Sequence, residues 1–112
     1  MGSSNLDSFV AGQVEGTGSA IEIRLRFTPR RVVLLNVDGD VRLEWDHTMA
    51  DAGGFKTVMG TSYALITTGG VTPKELNDLE DYSAGSAYRG FTIGADTDVN
   101  ASGETIHYAA WE

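Results

Sequence analysis

Arg89-Gly-Phe-Thr-Ile-Gly94, Ala95-Asp-Thr-Asp-Val-Asn-Ala-Ser-Gly103 and Glu104-Thr-Ile-His-Tyr-Ala-Ala-Trp-Glu112 follow one another in the chain. Their pattern decides the fold class. Phe91 and Ile93 alternate with Thr92, and Ile106, Tyr108 and Ala110 alternate with Thr105, His107 and Ala109. A period of two sets one apolar face on each run, which is the signature of a half-buried β-strand. The stretch between them is rich in Asp, Asn, Ser and Gly, residues that turn a chain and tolerate unusual backbone angles. Gly90 and Gly94 bracket the first run, where the missing Cβ permits a bend or a close neighbour. The pattern predicts two antiparallel strands joined by a long polar loop, a hairpin central to the core.

Working outward, Ile21, Ile23, Leu25 and Phe27 alternate with Glu22, Arg24 and Arg26, so Ala20–Phe27 is a strand with one buried face. Thr28-Pro29 ends it, because proline lacks the ladder donor. Val32–Val37 is a continuous apolar run of strand length. Asp38-Gly39 then signals a two-residue hairpin turn, with both positions favouring positive φ, and Val41, Leu43 and Trp45 continue the partner strand. Phe55–Met59 and Tyr63–Thr68 are further short strands, the latter broken at Gly69-Gly70. Thr72-Pro73-Lys74-Glu75 carries the marks of a helix start, and one or two turns through Leu79 compete with a structured loop. The expected fold is all-β: an antiparallel, jelly-roll-like β-sandwich over residues 20–112 with at most one short helix.

Residues 1–19 are rich in Gly and Ser and read as a flexible N-terminal segment, either a mobile tail or an arm that orders on a partner. Leu6, Phe9, Val10 and Val14 are more apolar than a linker needs. They are candidate partner-binding residues together with Arg24 and Arg26, which share one face of their strand. The bland alternative is that acids such as Glu22 and Glu44 neutralise those arginines across the sheet.

Composition narrows the function classes. The chain has 112 residues and a net charge of −8, unevenly spread: residues 1–56 carry six basic and eight acidic groups, residues 57–112 two and eight. Nucleic-acid binding needs a cationic surface, so this balance argues against it. No run approaches the ~20 apolar residues of a membrane-spanning helix. There is no cysteine, hence no disulfide and no thiolate metal site. Asp96-x-Asp98-x-Asn100-x-Ser102 opens like a calcium loop, but Ala101 stands where the turn wants glycine and His107 where a bidentate glutamate belongs. His47 and His107 lack a matched nucleophile or metal-ligand spacing. Glu75, Asp78, Glu80 and Asp81 read as a solvated acidic face. No catalytic residue, metal or cofactor is expected.

A wider set of residues resembles a known group. It comprises Gly16-Thr-Gly-Ser-Ala20, Phe27-Thr-Pro-Arg-Arg31, Glu44-Trp45, Gly90-Phe-Thr-Ile-Gly94, Asp98-Val-Asn-Ala-Ser-Gly-Glu104 and Tyr108-Ala-Ala-Trp111. Over about residues 16–112 the chain resembles small structural proteins of tailed bacteriophages, the head-decoration, head-fibre and tail-tip components. The resemblance implies a virion protein without catalytic residues. The stand-alone length favours a decoration, or cement, protein on the capsid exterior, a homotrimer bound to the major capsid protein. The alternative is a tip module that binds a host-surface glycan or receptor, with Trp45, Tyr82 and Tyr88 as stacking aromatics.

Overall fold

The computed structural model describes residues 9–75 and 89–112. Among them are eight strands and no helix: β1 (Phe9–Glu15), β2 (Ile21–Leu25), β3 (Arg31–Asn36), β4 (Val41–Asp46), β5 (Gly53–Val58), β6 (Ser62–Lys74), β7 (Arg89–Ile93) and β8 (Thr105–Trp111). All pairings are antiparallel, and the strands form one sheet in the order β1-β8-β3-β4-β5-β6-β7-β2.

This sheet folds back on itself at β6. Ser62–Ile66 pair with β5, whereas Val71–Lys74 pair with β7, and the register jumps between Gly53 and Gly54. Gly69 takes a left-handed φ of 80°. At Gly70 a Cβ would lie 2.0 Å from the Gly53 carbonyl oxygen, so only glycine lets the two backbones cross there. One strand thereby serves two layers. The larger holds β1, β8, β3, β4, β5 and the first half of β6; the smaller holds the second half of β6 with β7 and β2. Phe91 of β7 meets Tyr108 of β8 edge to face at 5.8 Å, although four strands separate β7 and β8 in sheet order. The core is the space between the layers, filled from one side by Val32, Leu34, Val41, Leu43, Trp45, Ile106 and Ala110 and from the other by Ile23, Val71, Phe91 and Ile93.

The expected all-β antiparallel sandwich is observed, with three changes of detail. First, the strands expected as a terminal hairpin form as β7 and β8 but do not pair. β7 lies between β6 and β2, β8 between β3 and β1, and residues 94–104 cross from one layer to the other. Second, the proposed helix start is strand: β6 runs through Gly69-Gly70 to Lys74, and Pro73 is tolerated where, among the described residues, β7 is its only partner strand. The remainder of that helix, to Leu79, lies outside the described residues. Third, the β3–β4 turn is the four-residue loop 37–40, because Asn36 pairs with Val41. Positive φ falls on Asp40 at 56°, and the buried Asn36 Oδ1 accepts the Gly39 N–H at 3.0 Å.

Phe9–Glu15, read from sequence as part of the arm, is β1 and pairs with β8 over its full length. Val10 and Val14 face inward against the core. Between them, a Cβ on Gly12 would lie 2.6 Å from the Tyr108 hydroxyl, so the glycine that makes the segment look like a linker is what lets Tyr108 lie beneath it.

Candidate interaction surface

The crossing loop is fixed by Asp96, Asp98 and Asn100 of the calcium-like run together with Asn36 and Lys56, which the sequence did not single out. Asn100 is fully buried. Its Oδ1 accepts the N–H groups of Thr17 (2.8 Å) and Gly18 (3.2 Å), and its Nδ2 donates to the carbonyls of Ser19 (2.7 Å) and Gly94 (2.9 Å). Asn36, also fully buried, donates to the carbonyls of Asp98 and Val99 and to Glu104 Oε1 at 2.8 Å. Asp96 Oδ1 accepts the N–H groups of Asp98 and Val99. The Lys56 ammonium sits against Asp96 Oδ2 at 3.0 Å and Asp98 Oδ2 at 2.7 Å. A cation of the chain itself thus fills the place between the carboxylates of the calcium-like run. No cluster of three or more His, Asp or Glu among the described residues is placed to hold a metal.

Of the candidate partner-binding residues, Leu6 lies outside the described residues. Val10 and Val14 are committed to the core, and Phe9 projects from the outer face of the larger layer. Arg24 is bonded to Glu22 at 3.4 Å, while Arg26 is exposed beyond the end of β2. Glu44 does not serve these arginines. It accepts from Arg31 at 3.1 Å and Arg42 at 3.0 Å on the outer face of the larger layer. The five described candidates do not form one site: Val10 and Val14 face the core, Phe9 lies on the outer face of the larger layer, and Arg24 and Arg26 are exposed on or beside β2 of the smaller layer.

The histidines are apart as well. His107 is exposed on the outer face of β8, and His47 borders an open cleft of about 580 Å³ near Pro29, Trp45 and Glu112. Trp45 is no rim aromatic. It is 1% exposed, with its indole N–H donating to the Ala50 carbonyl at 3.1 Å. Tyr82 and Tyr88 lie outside the described residues.

The surface that the structure assembles instead is the outer face of the larger layer. Register places Phe9 beside Trp111 and Trp111 beside Arg31, and in the next row Ala11, Ala109 and Val33. The rings of Phe9 and Trp111 are 5.2 Å apart, and the Arg31 guanidinium lies 5.7 Å from the Trp111 ring centre, within cation–π range. Phe9 remains 47% exposed and Trp111 36%. Beyond the Arg31–Glu44–Arg42 trio, Phe55, Tyr63 and Leu65 continue the face, with the Phe55 and Tyr63 rings 5.9 Å apart. Trp111 shares the outward parity of Thr105 and His107, a signal present in the sequence. Compared with models of known protein families, with curated proteins and with solved structures, the chain matches none.

Proposed function

We propose that this chain is a structural protein of a bacteriophage virion, a decoration protein that docks on the major capsid protein at the head exterior and reinforces it. The observation that carries this reading is the outer face of the larger layer, where Phe9, Ala11, Val33, Ala109 and Trp111 meet beside Arg31. A broad sheet face with exposed aromatics beside the Arg31–Glu44–Arg42 trio suits an extended protein surface better than a small substrate. The separate placement of His47 and His107 supports a non-catalytic role. The phage assignment rests on the sequence resemblance over residues 16–112.

The exposed Phe9–Trp111 pair also suits a sugar ring, which keeps a glycan-binding tip as the second reading. Both are tested by mixing the purified protein with undecorated phage heads and, separately, with host cells, then sedimenting each. Decoration predicts that the protein sediments with heads, and that Trp111→Asp, an exposed position, reduces this at least tenfold with an unchanged thermal midpoint. Adherence to cells with no binding to heads favours the tip reading, and binding to neither discards both.

A further inference from the structure

Between Lys56 and Lys74 the sequence carries no charged side chain, in a chain whose residues are 21% charged. The centre of this stretch is the first half of β6. Residues 61–65 are all exposed, so both faces of the strand are open there. Tyr63 at 74% and Leu65 at 71% are the most exposed large hydrophobic residues of the described chain. Both point to the outer face, opposite Thr57 and Phe55 of β5. β7 joins β6 only from Val71 onward, so among the described residues no strand lies beside Ser62–Ile66 on the side away from β5. Its outward N–H and C=O groups form a template for another strand. Sheet edges are ordinarily guarded by charge, proline or a bulge. β1 carries Glu15 and β2 carries Glu22 and Arg24, but Ser62–Ile66 carries no such guard.

We infer that this edge is a homotypic docking site, at which Ser62–Ile66 pairs antiparallel with the same strand of a second copy about a two-fold axis at Ala64. Charge selects the occupant. Each copy carries −8, so two copies repel over most of their surfaces, yet along this edge they meet without a charged side chain on either side. Register selects the geometry. The two-fold places Ala64 against the partner's Ala64 and Tyr63 against the partner's Leu65, and the symmetric contact repeats the second pair. The two most exposed side chains thereby cover one another as aromatic–aliphatic cross-strand pairs, a favourable combination on a sheet face. Pairing onto β1 or β2 of another copy would set the uncharged edge against Glu15 or Glu22. The larger layer then runs as one sheet through both copies, and the self-complementary contact closes at two. A trimer, expected from the resemblance, requires a head-to-tail contact instead.

This inference stands apart from the particle reading and is measured without particles. Sedimentation equilibrium of the full chain should give twice the 12.0 kDa chain mass. The exposed double variants Tyr63→Lys/Leu65→Lys and Tyr63→Glu/Leu65→Glu set like charges opposite each other twice. Each should be monomeric, with a dissociation constant raised at least a hundredfold and an unchanged circular dichroism spectrum. Mixed in equal amounts they should form a heterodimer, because every Lys then faces a Glu. A monomeric or trimeric wild type overturns the inference. So do variants that remain dimeric, or a mixture that remains monomeric.

Discussion

Asn36 and Asn100 are the buried polar side chains of the described residues, and each links parts of the chain that are distant in sequence. Replacing Asn100 with Ala removes the side-chain bonds to the Thr17 N–H and the Gly94 carbonyl, whereas the Gly18 N–H keeps the backbone carbonyl of residue 100 and the Ser19 carbonyl keeps the Thr17 hydroxyl; with unsatisfied buried groups costing about 1–3 kcal/mol each and water recovering part of that, a net loss of about 2 kcal/mol is expected. The urea midpoint measures it, and a change within error would show that the clamp is dispensable. Lys56 offers a test by pH. Burial alone would lower its pKa, but its bonds to Asp98 and Asp96 outweigh that, and the net direction is upward from 10.5. A raised lysine pKa contributes stability fully present below 10.5 and lost as pH rises through the higher folded value. Lys56→Met leaves two carboxylates without their cation. With Asp98 half exposed, the expected cost is about 2 kcal/mol, below the 3–5 of a fully buried pair. That difference from wild type should persist from neutral pH to 10.5 and shrink above it. A difference that vanishes at neutral pH would refute the ion-pair account.

Apart from β1, read as an arm, and the end of β6, read as a helix start, strand positions were legible in the sequence, and strand neighbours were legible only where connections are short. Alternation fixes which side chains face inward, so Ile23, Phe91, Ile93, Ile106 and Ala110 are buried as read. The short connection 37–40 forces β3 against β4. The long connection 94–104 imposes no such constraint, and β7 and β8 enter different layers although their periodicity suits a hairpin equally well. In β1 the inward row is Val10, Gly12 and Val14. The central glycine erased the alternation, and its reason is Tyr108, nearly a hundred positions away. The same limit hid the surface: Trp111, Tyr63 and Leu65 are visible as outward residues, but only register shows what lies beside them. The strand status of β1 changes what truncation should do. Deleting residues 1–15 strips Val10 and Val14 from the core and bares β8, with an expected cost of about 3 kcal/mol from buried apolar area. A truncated protein with the full-length denaturation midpoint would show that β1 is only appended.

The described residues form a single core shared by both layers, so among them neither layer has an apolar interior of its own. Denaturation followed by the fluorescence of buried Trp45 and by far-ultraviolet dichroism should give coincident curves, as one all-or-none transition requires. Separated midpoints would mean that a layer survives without the other. The place of β8 between β1 and β3 also has a consequence for biosynthesis. Translation delivers β1 before the other described strands and its partner β8 after them, so until β8 emerges Phe9–Glu15 has no ladder to join, and β3 waits equally for its second neighbour. The meander from β3 to β6 can assemble as it emerges, but the sheet acquires its first strand only after its eighth has left the ribosome. Such long-range closure belongs to the slower, millisecond-to-second regime of all-β folding. A nascent chain stalled before Thr105 should therefore carry β1 in a protease-sensitive state, and synthesis of β8 should protect β1 and β8 together.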